Sequence, residues 1–154
     1  MMLRIHEKIS QSSEVVLVDA AGGIDKEMHR VYFLVTPCVV GGLPLGILVT
    51  NPGQSEVFFE ALDCFKKLLP SSSFHYKPII IITDNDLKEI LGLERVFPNA
   101  LQLLCQFHNL KAFWKWLCDS NHNVSKDHRQ QIYFLFRQIQ YSTKEEDARN
   151  ICLI

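Results

Sequence analysis

Two aspartates each follow a run of apolar, mostly β-branched residues of the kind that form buried strands. Residues 15–18 lead into Asp19, and residues 78–83 lead into Asp84. If the two strands are neighbours in a sheet, the carboxylates meet at one edge and repel each other unless a cation neutralises them. Mg²⁺ and Mn²⁺ prefer oxygen ligands, and they activate water and stabilise the charge of phosphoryl transfer. Asp19 and Asp84 are therefore candidate ligands of a hard divalent metal.

A second interpretation makes both aspartates structural caps. Asp19 would cap the turn into Gly22-Gly23, and Asp84 would cap the helix predicted after it, in competition with Asp86. Aspartates at strand ends are common in α/β proteins. Spacing alone therefore favours the capping interpretation over the metal site.

A Cys-x-x-His motif, Cys105 to His108, places two soft ligands at a spacing that zinc accepts. A structural zinc site needs four ligands, and Cys118 and His122 do not form a clear second pair. Nucleophilic catalysis by the same Cys and His lacks a recognisable third partner. We therefore expect a thiol at a strand end and a histidine near the next helix start, and zinc is not expected.

Aromatic residues form a cluster shortly after this motif, at Phe113, Trp114 and Trp116. Such rings can stack on nucleic-acid bases. Leu110, Phe113, Trp114 and Leu117 fall at helical spacing, which predicts that Phe113 and Trp114 face a core. Only Trp116 is left without a packing role.

The hydrophobic pattern predicts the elements that must position these residues. Strands are predicted at 14–20, 30–40, 44–50, 78–83 and 100–105, and helices at 55–69, 86–97, from 108, at 125–141 and from 143. Gly41-Gly42 separates the second and third strands and indicates a hairpin, so the first three strands should form an antiparallel meander. This order predicts an α/β fold with a mixed sheet.

Composition bounds the class of protein. The chain has 154 residues, of which 47% are hydrophobic, and its net charge of −1 gives no overall support for a nucleic-acid binder. Five scattered cysteines without a CxxC pair, and the absence of an apolar leader segment, predict a reducing, intracellular environment. The apolar runs are too short to span a membrane, so we expect a soluble protein.

The order and spacing of these motifs resemble the transposase domain of Mutator-like elements (MULEs). The resemblance covers about residues 14–117, most of the chain. The matching segments are Val18-Asp19-Ala20, Thr83-Asp84, and the stretch from Val96-Phe97-Pro98 to Cys105 and His108.

The resemblance implies an RNase H-like fold, in which a mixed five-stranded sheet with strands one and four adjacent is flanked by helices. It implies a DDE-type polynucleotidyl transferase, in which two Mg²⁺ or Mn²⁺ ions align water or a DNA 3′-hydroxyl for in-line attack on a phosphodiester. Asp19 and Asp84 would be the first two acidic ligands, and Cys105 and His108 the family's Cys-x-x-His near the active site, with no role assigned. DNA would be the partner and the nucleus the location. With this resemblance the metal site becomes the favoured interpretation of the two aspartates.

Two departures from the family pattern bear on activity. Ala20-Ala21 stands where the family often has threonine. The third acid of the family is a glutamate on a helix after a helical insertion, whereas Glu145 and Glu146 fall too early and suit the first turn of a helix. We therefore expect a truncated or domesticated copy with weak or no nuclease activity. The alternative is a non-catalytic module that binds DNA or protein.

The resemblance divides the chain into an N-terminal segment (1–13), the RNase H-like core (14–118) and the start of the helical insertion (119–154). The helix predicted at 125–141 carries an apolar face at Ile132, Leu135, Phe136 and Ile139. If this face stays exposed, it favours self-association.

Overall fold

The computed structural model describes residues 10–39, 41–52, 55–68 and 77–153. Within these ranges the chain forms two compact units, which divide after Leu104. The first unit contains the sheet, a 3-10 helix at Ser10–Ser13 and two α-helices, and the second unit is helical. Every helix in the described ranges is too short or too polar to cross a membrane.

The first unit is built on a mixed five-stranded sheet. Its strands are β1 (Val15–Ala21), β2 (Arg30–Cys38), β3 (Gly41–Thr50), β4 (Ile80–Thr83) and β5 (Leu101–Leu104). They lie in the order β3-β2-β1-β4-β5, with β1, β2 and β3 antiparallel, β4 parallel to β1, and β5 parallel to β4. The α/β class, the antiparallel meander and the adjacency of strands one and four are therefore confirmed.

The hairpin between β2 and β3 differs from its prediction in the position of the turn. Gly41 pairs with Cys38 and Gly42 pairs with Pro37, so both glycines belong to β3 and do not form the linker. A Cβ atom at Gly42 would lie 2.6 Å from the Cγ1 atom of Val35. Close approach of the two strands therefore explains this glycine.

The core of the first unit lies between one face of the sheet and two helices, α1 (Ser55–Leu68) and α2 (Leu87–Val96). Alternate strand residues point into it, and α1 contributes Phe58 and Leu62 one turn apart. The ring centroids of Tyr32 and Phe58 are 4.3 Å apart. The core residues are Val16, Val18, Tyr32, Leu34, Leu45, Leu48, Phe58, Leu62, Ile81, Leu93, Val96 and Phe97.

The opposite face of the sheet is apolar but more exposed. Asp19 pairs with Phe33, and Phe33 pairs with Ile47, so these three side chains lie in one row across β1, β2 and β3. Phe33 and Ile47 are both exposed. Asp19 therefore lies on the sheet face that the core does not use.

The second unit contains α3 (Gln106–Cys118), a 3-10 helix at Ser120–His122, α4 (Lys126–Gln140) and α5 (Glu145–Cys152). Helices α3 and α4 form an antiparallel hairpin: the rings of Phe113 and Phe136 are 4.0 Å apart at its middle, and Gln106 and Gln140 exchange hydrogen bonds of 3.4 and 3.0 Å at its open end. We call residues 105–144 the α3–α4 hairpin.

Several predicted boundaries need adjustment. Helix α3 begins two residues earlier than predicted and belongs to the second compact unit, whereas the resemblance assigned it to the core ending at residue 118. Helix α5 begins at Glu145, two residues later than predicted, with Lys144 at its N-cap position. Most of the predicted N-terminal segment, residues 1–9 of 1–13, lies outside the described residues. The same is true of residue 40, the predicted end of the second strand, and of residue 69, the predicted end of the first helix.

Candidate functional site

Parallel pairing of β1 and β4 brings Asp19 and Asp84 to neighbouring positions. Leu17 pairs with Ile82, and each aspartate lies two residues further along its own chain. Parallel strands advance together, so equal steps keep the two residues side by side. Asp19 is exposed and Asp84 is half-buried, so solvent reaches both. The register of β1 and β4 is therefore compatible with the site predicted from the sequence.

Asp84 is not the cap of the helix that follows it. The N-cap of α2 is Asp86, whose Oδ1 atom accepts a hydrogen bond of 2.8 Å from the backbone N–H of Lys88. Asp84 instead accepts a bond of 2.6 Å from the next backbone N–H, that of Asn85. Asp19 does not end its strand, because β1 continues to Ala21. Helix capping is thus carried by Asp86.

Glu89 is a further carboxyl group, close enough to Asp84 to feel its charge, and it was not among the predicted site residues. It lies in the first turn of α2, is 2% exposed, and accepts a hydrogen bond of 2.8 Å from the hydroxyl group of Thr83. Burial raises the pKa of Glu89 from 4.5 to about 7; the Thr83 bond lowers it, and the charges of Asp86 and Asp84 raise it further. Near neutral pH this carboxyl group is therefore partly protonated.

A sequence signal for Glu89 existed. Glu89 precedes Leu93 by four residues and Val96 by seven, which places it on the buried face of α2. A carboxyl group at such a position must be bonded or protonated, and perturbed groups of this kind concentrate at functional sites.

Arg30 supplies positive charge at the same edge of the sheet. It begins β2, and its Nη1 atom lies 3.5 Å from the Oδ2 atom of Asp86. A hydrogen bond with Tyr32 is the main reason why the pKa of Arg30 is raised, and the charge of Asp86 adds to it. Arg30 therefore offsets part of the negative charge of the carboxyl groups here.

The oxygen donors at this edge suit Mg²⁺ or Mn²⁺, which bind one or two carboxylates and retain several waters. Asp19 and Asp84 are the accessible pair, while Asp86 caps α2 and Glu89 is bonded to Thr83. In the part of the chain that the structure describes, no group of three ligand-type side chains with ligand atoms within 4.8 Å of one another includes either aspartate. The residues fit a two-carboxylate site completed by water.

One such group of three lies in the loop between β1 and β2, at Asp25, Glu27 and His29. Nδ1 of His29 lies 2.5 Å from Oδ2 of Asp25, and Nε2 lies 3.0 Å from Oδ1 of Asn51. The hydrogen bond to Asp25 raises the pKa of His29. Both ring nitrogens are engaged, so this cluster ties the loop to the residue after β3.

Cys105 and His108 lie together at the start of α3, in the second compact unit. Cys105 is half-buried at the N-cap position and makes no side-chain capping bond, and His108 lies in the first turn. The expected placement at a strand end and a helix start is confirmed. Glu145 and Glu146 lie in the first turn of α5, also as predicted, and Glu145 pairs with Arg149 at 2.6 Å.

The two tryptophans differ from their prediction. Trp114 is 39% exposed and meets Tyr133 edge-on at 5.3 Å, so it does not belong to a core. Trp116 is 48% exposed, and its ring stacks on that of His122 at 4.1 Å. Phe113 is half-buried against Phe136. Trp116, for which no packing role was predicted, therefore packs on His122.

No family model matches the chain, and a search of curated proteins finds no significant match. The chemistry of the sheet edge is therefore the basis for inferring function.

Proposed function

We propose that the chain is a transposase-derived domain of the MULE type with an RNase H-like fold, in which Asp19 and Asp84 bind Mg²⁺ or Mn²⁺. Its ancestral activity is metal-dependent DNA cleavage and strand transfer. The observation that supports this proposal most directly is the parallel pairing of β1 and β4, because Asp19 and Asp84 each lie two residues beyond the paired residues Leu17 and Ile82. The sheet order supports it as well, because strands one and four are neighbours as the resemblance implies.

The carboxylates would hold a metal ion that activates water or a 3′-hydroxyl group and stabilises charge on the phosphodiester. Two carboxylates hold such an ion less firmly than three. Glu89 does not replace the third ligand, because its carboxyl group is buried and bonded to Thr83. Its role in this proposal is to hold the residue that precedes Asp84. Weak or absent cleavage is therefore expected.

A second candidate function is a non-catalytic module of the same fold that binds DNA or protein. It is favoured by the small number of accessible ligands and by Arg30, which already offsets the charge of Asp86. The exposed apolar residues on the face of Asp19, such as Phe33 and Ile47, also suit a binding surface.

Thermal unfolding with and without Mg²⁺ or Mn²⁺ tests the metal site, and nicking of supercoiled plasmid tests catalysis. We expect metal to raise the melting temperature of the wild-type chain and not that of Asp84→Asn, because a ligand that binds only the folded state stabilises it. Asp63→Asn is the matched control, since Asp63 is on α1 and pairs with Lys67.

The outcomes separate the two functions. If metal leaves the wild-type melting temperature unchanged, the metal site is refuted and the binding module is favoured. Robust nicking that disappears in Asp84→Asn but persists in Asp63→Asn would overturn the expectation of weak activity. Nicking that persists in Asp84→Asn would exclude this site as its source.

A further inference from the structure

The α3–α4 hairpin exposes aromatic side chains along one side. Phe134 is 57% exposed, Tyr141 is 54% exposed and Trp114 is 39% exposed. A groove of ≈ 400 Å³ is lined by Trp114, Gln130, Tyr133, Phe134 and Arg137. A neighbouring groove shares Phe134 and Arg137 and extends to Tyr141. Together the two grooves form a continuous surface.

Cations alternate with these rings along α4. Lys126, Gln130, Phe134, Arg137 and Tyr141 are separated by four, four, three and four residues, so they lie on one side of the helix. We call these five residues together with Trp114 the aromatic–basic stripe. It runs from Lys126 at the start of α4 to Tyr141 at its C-cap, and these 16 residues cover about 22 Å along the helix axis.

The local charge of the hairpin differs from that of the whole chain. Residues 105–144 contain six lysines and arginines and two acidic residues, which gives a net charge of +4, whereas the whole chain has −1. The six cations are Lys111, Lys115, Lys126, Arg129, Arg137 and Lys144. A partner for this surface should therefore be anionic.

Rings that alternate with cations suit single-stranded nucleic acid, because bases stack on the rings while phosphates contact the cations. In a duplex the base faces are covered by the neighbouring base pairs, so they cannot stack on protein rings. The guanidinium group of Arg137 lies 5.8 Å from the ring centroid of Tyr141, so a planar cation also lies beside the exposed rings. A second copy of the chain fits less well, because two hairpins of charge +4 repel each other.

We propose that the aromatic–basic stripe binds single-stranded DNA, with bases stacked on Trp114 and Phe134 and phosphates held by Lys126 and Arg137. The choice of DNA over RNA rests on the proposed function. The stripe itself lies within the second unit and contains neither Asp19 nor Asp84.

Fluorescence anisotropy of a labelled oligo-dT, with EDTA present, tests this binding without any metal. We expect Trp114→Ala and Phe134→Ala each to weaken binding about tenfold, the effect of losing one stacked base. Arg137→Gln should make the slope of log K against log salt shallower by about 0.7, the contribution of one phosphate contact on a single strand.

Trp116→Ala is the matched control, because it removes a tryptophan of similar exposure that lies two residues away, on the other side of α3. We expect it to leave binding unchanged. Circular dichroism of each variant checks that the helices remain folded. A duplex and an oligo-U RNA of equal length serve as competitors.

Several results would overturn the inference. The first is the absence of oligo-dT binding at low salt. The second is a folded Trp116→Ala variant that loses as much oligo-dT affinity as Trp114→Ala. The third is tighter binding of the duplex than of oligo-dT. Tighter binding of the RNA would refute the choice of DNA. Self-association that Phe134→Ala abolishes, without oligo-dT binding, would assign the stripe to a second copy of the chain. Asp84→Asn should retain oligo-dT binding, so failure of the metal site and failure of the stripe are distinguishable.

Discussion

Glu89 couples the stability of the sheet unit to pH, and Glu89→Gln should remove that coupling. The carboxyl group is 2% exposed, and burial raises its pKa from 4.5 to about 7. Glutamine has nearly the same size, and its amide oxygen can accept the hydrogen bond from Thr83. The substitution therefore removes the titration while it keeps most of the packing.

The direction in which the free energy of unfolding changes with pH follows from proton binding to Glu89. Between pH 4.5 and about 7 the folded chain keeps a proton on Glu89 that the unfolded chain has released. The stabilisation is therefore complete below pH 4.5 and is lost as the pH rises through about 7. At 1.36 kcal/mol per pKa unit, the free energy of unfolding falls by ~3 kcal/mol across this interval.

Urea unfolding of the wild type and Glu89→Gln, measured from about pH 4 to about pH 8, gives the two free energies of unfolding. We expect the variant to gain ~3 kcal/mol relative to the wild type across this range. Other groups that titrate there, such as His29, cancel in this difference. Glu89→Gln can also be less stable than the wild type by an amount that does not change with pH, because the buried amide N–H₂ group of glutamine needs a hydrogen-bond partner of its own.

A second variant checks the cause of the coupling. The bond from Thr83 lowers the pKa of Glu89, so Thr83→Val should move the loss of stability to higher pH. The reasoning is refuted if the difference between Glu89→Gln and the wild type does not change with pH. It is also refuted if Thr83→Val moves the loss of stability to lower pH.

Two further substitutions test the packing of the first unit and the bond between Asp25 and His29 in the loop between β1 and β2. Gly92→Ala should destabilise the chain by about 1–3 kcal/mol in a thermal melt, because a Cβ atom there would lie 2.7 Å from Cδ1 of the buried Phe58. Gly22→Ala is the control, because the nearest atom to its Cβ would be 4.0 Å away. An unchanged melting temperature in Gly92→Ala would mean that Phe58 moves aside freely. His29→Gln should remove a stabilisation that the wild type has in full below pH 6.5 and loses as the pH rises through the raised pKa of His29. Urea unfolding at several pH values measures it, and a difference between His29→Gln and wild type that stays constant with pH would contradict the role of the Asp25–His29 bond.

Local patterns were sufficient for most of the secondary structure. The alternation and β-branched content of residues 15–18 and 78–83 predict strands, and the period of Phe58 and Leu62 predicts a helix, because these signals arise within a few residues. The position of the β2–β3 turn was missed. Gly41-Gly42 looked like a linker, and only the pairing with Pro37 and Cys38 shows that both glycines lie in β3.

Side-chain environments were predicted less well, because they depend on contacts between distant residues. Periodicity put Trp114 on a core face, but the packing of α3 on α4 leaves it beside Tyr133 and exposed. Glu89 was not predicted as a site residue, and its raised pKa follows from burial, which only the folded structure shows. Its bond to Thr83 likewise depends on the packing of α2 against the sheet.

By itself the sequence determined that Asp19 lies near the end of one strand and that Asp84 follows another, and that oxygen ligands at those positions suit a hard metal ion. It also contained Asp86 as a competing cap. Only the tertiary structure decided that β4 pairs in parallel with β1 and that Asp86 carries the capping bond. The reason is physical. Strand formation is local, whereas the pairing of strands more than sixty residues apart depends on how the intervening β2, β3 and α1 pack.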